Sequence, residues 1–254
     1  MSRDRSATPS TAGRVGAALR AGALELRRTP LLLALLVVAP AYVIYLFTVA
    51  APDGEAVMQV GGETVGTTLP KAFPAFTTPM TAALLTGIAG LFLMGTAADA
   101  DARLVIAGYR ARDIVLARLS LLVAVAGVAT AVSVGVMLTA FSPDALGWFV
   151  VGVGLTALIY GMVGVLAGVV LNRLAGVYLI LFGSMIDLFI FQNPLATDAP
   201  NAATALPGHY PLALAMEAGF TGSVDAANLT WALAYLAGLT ALATLGFYVN
   251  GRLR

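Results

Sequence analysis

The sequence predicts an all-α polytopic membrane protein with six transmembrane helices, an N-terminal interfacial helix and both termini cytoplasmic. Three observations carry this. Hydrophobic residues make up 59% of the 254 residues and charged residues 11%, with a mean hydropathy of +0.91. Soluble domains have about 45–50% and about 25%, so this little charge could not cover a soluble globule, and a disordered chain would lack the apolar surface present here. The apolar residues gather in six runs of roughly the 20 residues that a helix needs to cross a bilayer core of about 30 Å. Finally, the arginines all fall on one side of a six-span layout.

Residues 1–10 are polar, which predicts a disordered N-terminus. From Thr11, Val15, Leu19, Gly22 and Leu26 recur at helical steps, while Arg14, Arg20, Arg27 and Arg28 point elsewhere. This predicts a basic amphipathic helix over 11–29, lying on membrane lipids before Pro30 turns the chain inward. The plainer alternative is a solvated basic leader that only sets topology. The transmembrane domain covers 30–251. Its first span, 31–51, opens LLLALLVV and carries Pro40. Its length exceeds the 7–15-residue core of a signal peptide, so it is expected to be retained. Pro52–Ala75, with Gly61-Gly62 and mild alternation, suits a small hairpin.

The second span is predicted at 76–98 and the third at 119–141. Ser142-Pro143-Asp144 forms a tight outer turn in which Asp144 can cap the fourth span, 146–171. The fifth, 175–191, is interrupted by Asp187, and the sixth covers 229–249. Between them Gln192–Asn228 contains no Lys or Arg but carries Asp198, His209, Glu217 and Asp225. With six spans, Arg3, Arg5, Arg14, Arg20, Arg27, Arg28, Arg103, Arg110, Arg112, Arg118, Arg173, Arg252 and Arg254 share one side and only Lys71 lies opposite. The positive-inside rule makes that side cytoplasmic.

The composition excludes much chemistry. There is no Cys, a single His and a single Lys, Lys71, followed by Ala72. Disulfides, thiolate or two-histidine metal sites and a phosphate-cradling Gly-Lys-Ser/Thr loop are therefore excluded. No catalytic or metal-binding signature is expected, and the net charge of +1 gives no reason to expect nucleic acid. Asp99, Asp101, Arg103 and Asp113 superficially resemble the aspartate set of CDP-alcohol phosphotransferases, but the spacing is wrong.

Three groups of residues remain. Gly152-Val153-Gly154 begins a dinucleotide-type pattern inside a membrane run, where that reading fails. The same helix continues Gly161, Gly164 and Gly168, small residues that allow close helix packing between or within chains; ordinary glycine enrichment is the bland alternative. Asp187 is a polar point on a substrate path or, more plainly, a carboxylate at the outer end of a short fifth span. His209 and Glu217 read as loop residues first and substrate contacts second. The inner loop DADARLVIAGYRARDIVLARL, from Asp99, pairs charges with an apolar side, which suits docking to a cytoplasmic partner or simple anchoring at the headgroups.

Four stretches resemble the type-2 ABC transporter permeases, the membrane subunits of ABC exporters. ALELRRTPLLLALLVVAP (23–40) is similar to the family's connecting helix and proline-bearing first span. DARLVIAGYRARDIVLARL (101–119) is similar to its inner loop, with Arg103, Gly108 and Arg118 in familiar places. The short link between the fourth and fifth spans and LPGHYPLALAMEAGF (206–220) match its remaining connections. The resemblance implies a homodimeric pathway in the cell membrane above a separate cytoplasmic ATPase that binds ATP and Mg. It also implies a coupling helix containing Asp99, Asp101, Arg103, Gly108, Tyr109, Arg110 and Arg112, and a re-entrant hairpin over 203–220. The chain itself would bind no cofactor and do no covalent chemistry. The alternatives are a stand-alone secondary transporter, for which Asp187 is the one intramembrane ionisable group, and, more remotely, a membrane enzyme. The cargo is not readable: Ala, Val, Leu and Gly with a few Ser and Thr suit amphipathic molecules but exclude little.

Overall fold

The fold was obtained as a computed structural model that describes residues 30–95, 111–196 and 201–252. These are mostly helical. In chain order they form α1 (Pro30–Ala50), β1 (Glu55–Val60), β2 (Glu63–Thr68), α2 (Leu69–Gly95), α3 (Ala111–Met137), α4 (Leu146–Val170), α5 (Arg173–Ser184), a π-helical turn (Met185–Phe191), a 3-10 turn (Asn201–Ala205), α6 (His209–Phe220) and α7 (Ala226–Arg252). Five segments are long and apolar enough to cross a membrane: Leu69–Leu93, Val115–Met137, Leu146–Val170, Arg173–Phe191 and Ala226–Gly246. Within α1, Val37–Ala50 is a shorter apolar stretch. The leader 1–10, the interfacial helix 11–29 and Asp99, Asp101, Arg103, Gly108, Tyr109 and Arg110 lie outside the described residues. Arg112 falls in the first turn of α3.

Two spans start earlier than the charge-free runs do. α2 begins at Leu69, not near Phe76, and α3 begins at Ala111, not at 119. Pro70 is tolerated in a first turn, where its missing N–H would have no helical partner anyway. Charge marks where a helix leaves the apolar layer, not where it starts. A cap expected at the fourth span is also absent. The N-cap of α4 is Ala145 and no side chain caps it. Instead the Asp144 and Ala145 N–H groups donate to Gly219 O (3.2 Å) and Ala218 O (2.8 Å), tying this turn to the end of α6.

Pro52–Ala75 does contain a hairpin. Gly61 and Gly62 have φ of +58° and +81°, the pair of positive values that a two-residue turn matching strand twist requires. Val60 pairs with Glu63 and Glu55 with Thr68. In β1, Ala56, Met58 and Val60 face inward and are buried, while alternate residues are exposed. The hairpin packs on α6 and the start of α2, and Gln59 N–H donates to Pro194 O at 3.1 Å.

The centre of the bundle is the contact between α2 and α4, which pack along much of their length. Glycines make it possible. A Cβ on Gly90 would run into the Gly161 carbonyl, and one on Gly164 into the Gly87 carbonyl. Gly161 also admits Thr86 and Leu122, so two members of the glycine series make a contact within the chain. Gly168 is half-buried on the same helix. Such backbone proximity lets dispersion and weak Cα–H···O contacts accumulate where lipid removes the hydrophobic drive between helices.

Hydroxyls inside the spans are mostly satisfied locally. Thr77, Thr78, Thr81, Thr86, Thr156 and Ser184 each donate to the carbonyl four residues back, at 2.6–2.8 Å. This answers the requirement that polar groups be paired internally in a bilayer. Thr130 and Ser133, both buried on α3, are the exceptions among the described residues.

Gly90→Ala and Gly164→Ala are expected to cost about 2–3 kcal/mol or more, because a carbonyl cannot yield as a side chain can. Gly127→Ala and Gly135→Ala meet nothing within 4 Å and should be neutral or stabilising by about 0.5–1 kcal/mol. Thermal unfolding in detergent compares the pairs; equal effects would remove the close-approach account.

Candidate functional site

The two buried carboxylates among the described residues, Asp187 and Glu217, lie at the two ends of α6. Its sequence, HYPLALAMEAGF, is apolar enough to bury, and Pro211 sits in its first turn, where proline is tolerated. α6 lies against α4 and α7. Gly152 allows this approach, since a Cβ there would lie 2.8 Å from the Ala215 backbone nitrogen.

At the N-terminal end stands Asp187, 4% exposed. The plainer sequence reading left this carboxylate at an interface. The structure buries it, because the fifth span does not stop there: it widens into a π-helical turn, with Gln192 N–H donating to Asp187 O at 2.9 Å. The π-turn re-aims the side chain toward the bundle. Three neutral donors meet it. The Tyr160 hydroxyl of α4 and the Gly208 N–H (2.8 Å) donate to Oδ2, and Gln192 Nε2 donates to Oδ1 (3.2 Å). Gly208 is the N-cap of α6, so the carboxylate also sits where the unpaired N–H groups and the helix dipole favour an anion. A Cβ there would meet Leu188 Cδ2 and lie 2.9 Å from Oδ2, so a larger residue would have to displace Leu188 or the carboxylate.

Gln192 extends the network. Its Nε2 also donates to Ala203 O (2.7 Å), leaving Oε1 facing His209 Nδ1 at 2.8 Å. An amide oxygen only accepts, so in this arrangement Nδ1 carries the proton. Burial pushes the His209 pKa below its ordinary value, partly opposed by the Asp187 charge. Tyr235 of α7 donates to Ala205 O at 2.8 Å, and Tyr210 stacks on Trp231 with centroids 5.9 Å apart.

At the C-terminal end Glu217 is likewise 4% exposed. It accepts from the Asp225 N–H (3.0 Å) and Asn228 Nδ2 (2.8 Å), both at the start of α7. The hairpin tip closes over it: a Cβ on Gly61 would lie 3.2 Å from Glu217 Cγ. Burial raises the Glu217 pKa, and the Asp225 charge adds to the rise, while the two hydrogen bonds oppose it.

The structure thus places all three candidate path residues, Asp187, His209 and Glu217, on or beside one short helix. His209 and Glu217 are helical, not loop, residues. Tyr160, Gln192, Gly208 and Asn228 went unrecognised in the sequence. A lone phenol inside an apolar span was the one available signal, since a buried tyrosine hydroxyl normally finds a partner. Among the described residues no group of three or more His, Cys, Asp or Glu is placed to hold a metal ion. The arrangement can hold a helix in place and exchange protons among hydrogen-bonded groups.

Asp187→Ala leaves a buried N–H and a hydroxyl without an acceptor and should cost about 3 kcal/mol or more, against about 1–2 kcal/mol for Tyr160→Phe. Detergent-state unfolding checks the order, and a wild-type-like Asp187→Ala would overturn the anchoring role. A raised folded-state pKa means the native protein binds the Glu217 proton more tightly than the unfolded chain does. Stability should therefore fall as pH rises past the ordinary glutamate value of 4.5. Glu217→Gln should flatten that part of the melting-temperature profile; an unchanged slope would count against it.

No family model matches the chain, and no curated protein matches it.

Proposed function

We propose that this chain is the membrane subunit of an ATP-driven exporter of the type-2 ABC permease kind, resident in the cell membrane with both termini cytoplasmic. Six spans, counting α1, would form each half of a dimeric pathway. A separate ATPase would bind ATP and Mg, and the loop from Asp99 to Arg112 would carry its movement into α2 and α3. The carrying observation is the placement of α6. A short apolar helix before the last span packs at the end of the bundle opposite the end of α2 and the start of α3, and is anchored there by two buried carboxylates. In this reading α6 closes the outer end of the pathway, and helices moved by the ATPase open it. The chain itself does no covalent chemistry.

A second reading rests on Asp187. A buried carboxylate met by neutral donors among the described residues, one of them the N–H of the residue before His209, suits an ion-coupled transporter working alone.

Co-expression with candidate ABC ATPases, taken from the genes neighbouring this one, separates the two. The exporter reading expects co-purification and ATP hydrolysis lowered about tenfold by Arg103→Glu with Arg110→Glu, on the order of one lost charge-assisted contact. Failure of any neighbouring ATPase to co-purify would sink it. Transport that survives ATP depletion but collapses with the ion gradient would favour the second reading.

A further inference from the structure

At the end of the bundle opposite α6, four helix ends meet around a half-open cleft. Its walls are Leu93 of α2, Val115, Arg118 and Leu119 of α3, Val165 of α4, and Ala243 and Thr244 of α7. The lining is almost wholly apolar. Thr244 spends its hydroxyl on its own helix, donating to Thr240 O at 2.8 Å. The cleft opens sideways toward lipid: Leu116 on α3 and Leu242 and Leu245 on α7, which flank it in sequence, are exposed.

Two guanidinium groups stand at this end of α2. Arg118 Nη1 donates to Leu93 O at 2.7 Å, so its charge is held at the cleft wall. Arg173, at the start of α5, lies 4.3 Å over the Phe92 ring, with the rest of its side chain exposed. An apolar slot beside fixed arginines at a membrane surface matches one amphiphile in both parts. An acyl chain lies along this shallow groove, and a phosphodiester meets the guanidinium groups through charge-assisted hydrogen bonds. Arginine suits this role because its planar, weakly hydrated cation recognises phosphate oxygens at a low desolvation cost.

We propose that this cleft binds an anionic glycerophospholipid from the leaflet at the basic end of the bundle, headgroup toward Arg118 and Arg173 and acyl chain between α3 and α7. The site needs only a membrane, so it stands whether or not the exporter reading does. By filling the seam it fastens α7, most of whose surface is otherwise exposed, to α2, α3 and α4.

The test uses the full chain, delipidated in neutral detergent. Melting temperature and native mass spectrometry would follow addition of phosphatidylglycerol, phosphatidylcholine or inorganic phosphate. Phosphatidylglycerol should remain bound and raise the melting temperature by several degrees, with a smaller rise at high salt, and the other two should not. Ala243→Phe fills the slot and should weaken phosphatidylglycerol binding about tenfold, comparable to losing one strong contact. Arg173→Gln, on an exposed side chain, should weaken it about threefold and keeps the test open if Ala243→Phe does not fold. Equal stabilisation by phosphatidylcholine or inorganic phosphate would overturn the proposal, as would wild-type-like binding by both variants.

Discussion

The backbone contact between α2 and α4 is the constraint on which the other placements depend. Gly87 and Gly90 face Gly161 and Gly164 so closely that a methyl group at Gly90 or Gly164 would collide with a carbonyl. In lipid, helices gain little from hiding apolar surface and must instead gain from proximity. With these two helices fixed, α3 packs on one side, where Leu122 reaches Gly161. α5 crosses near α2, where Gly176 admits Leu91 and Gly87 faces Ile180. The ends of the α2–α4 pair then define two polar regions, one holding α6 and one holding arginines.

The region around α6 shows how a polar group becomes structural inside an apolar protein. A buried carboxylate is costly unless donors surround it. Asp187 and Glu217 are each given backbone N–H donors at helix starts, Gly208 and Asp225. The carboxylates satisfy groups that a helix start leaves unpaired. Each pairing is therefore mutual: α6 shields the carboxylates, and the carboxylates hold α6 against the bundle. At the opposite end Arg118 does the converse, donating to a carbonyl in the last turn of α2.

Much of the helical layout was legible because membrane insertion imposes a coarse rule. Runs of roughly 20 apolar residues coincide with five segments long enough to cross a membrane, the first run with only a shorter apolar stretch, and two helices start earlier than expected, at Leu69 and Ala111. The hairpin was legible in Gly61-Gly62 for a local reason, since few other residues accept positive φ twice in succession. The site was less so. Asp187 stood out as a charge in an apolar run, but its burial depends on a π-turn and on chain returning from residue 208. His209 and Glu217 lay in a stretch whose helix is short, and a twelve-residue helix draws its stability from what it packs against.

The sequence alone determined the solvent, the approximate spans and the end of the bundle that carries positive charge, because each follows from composition and from distances along one chain. Only the tertiary structure decided which glycines meet, that Tyr160 and Gly208 share one oxygen of Asp187, and that Arg118 and Arg173 bracket the same helix end. Those pairings join residues that are 21 to 81 positions apart, and hydrophobic periodicity carries no record of which helix face will find which partner.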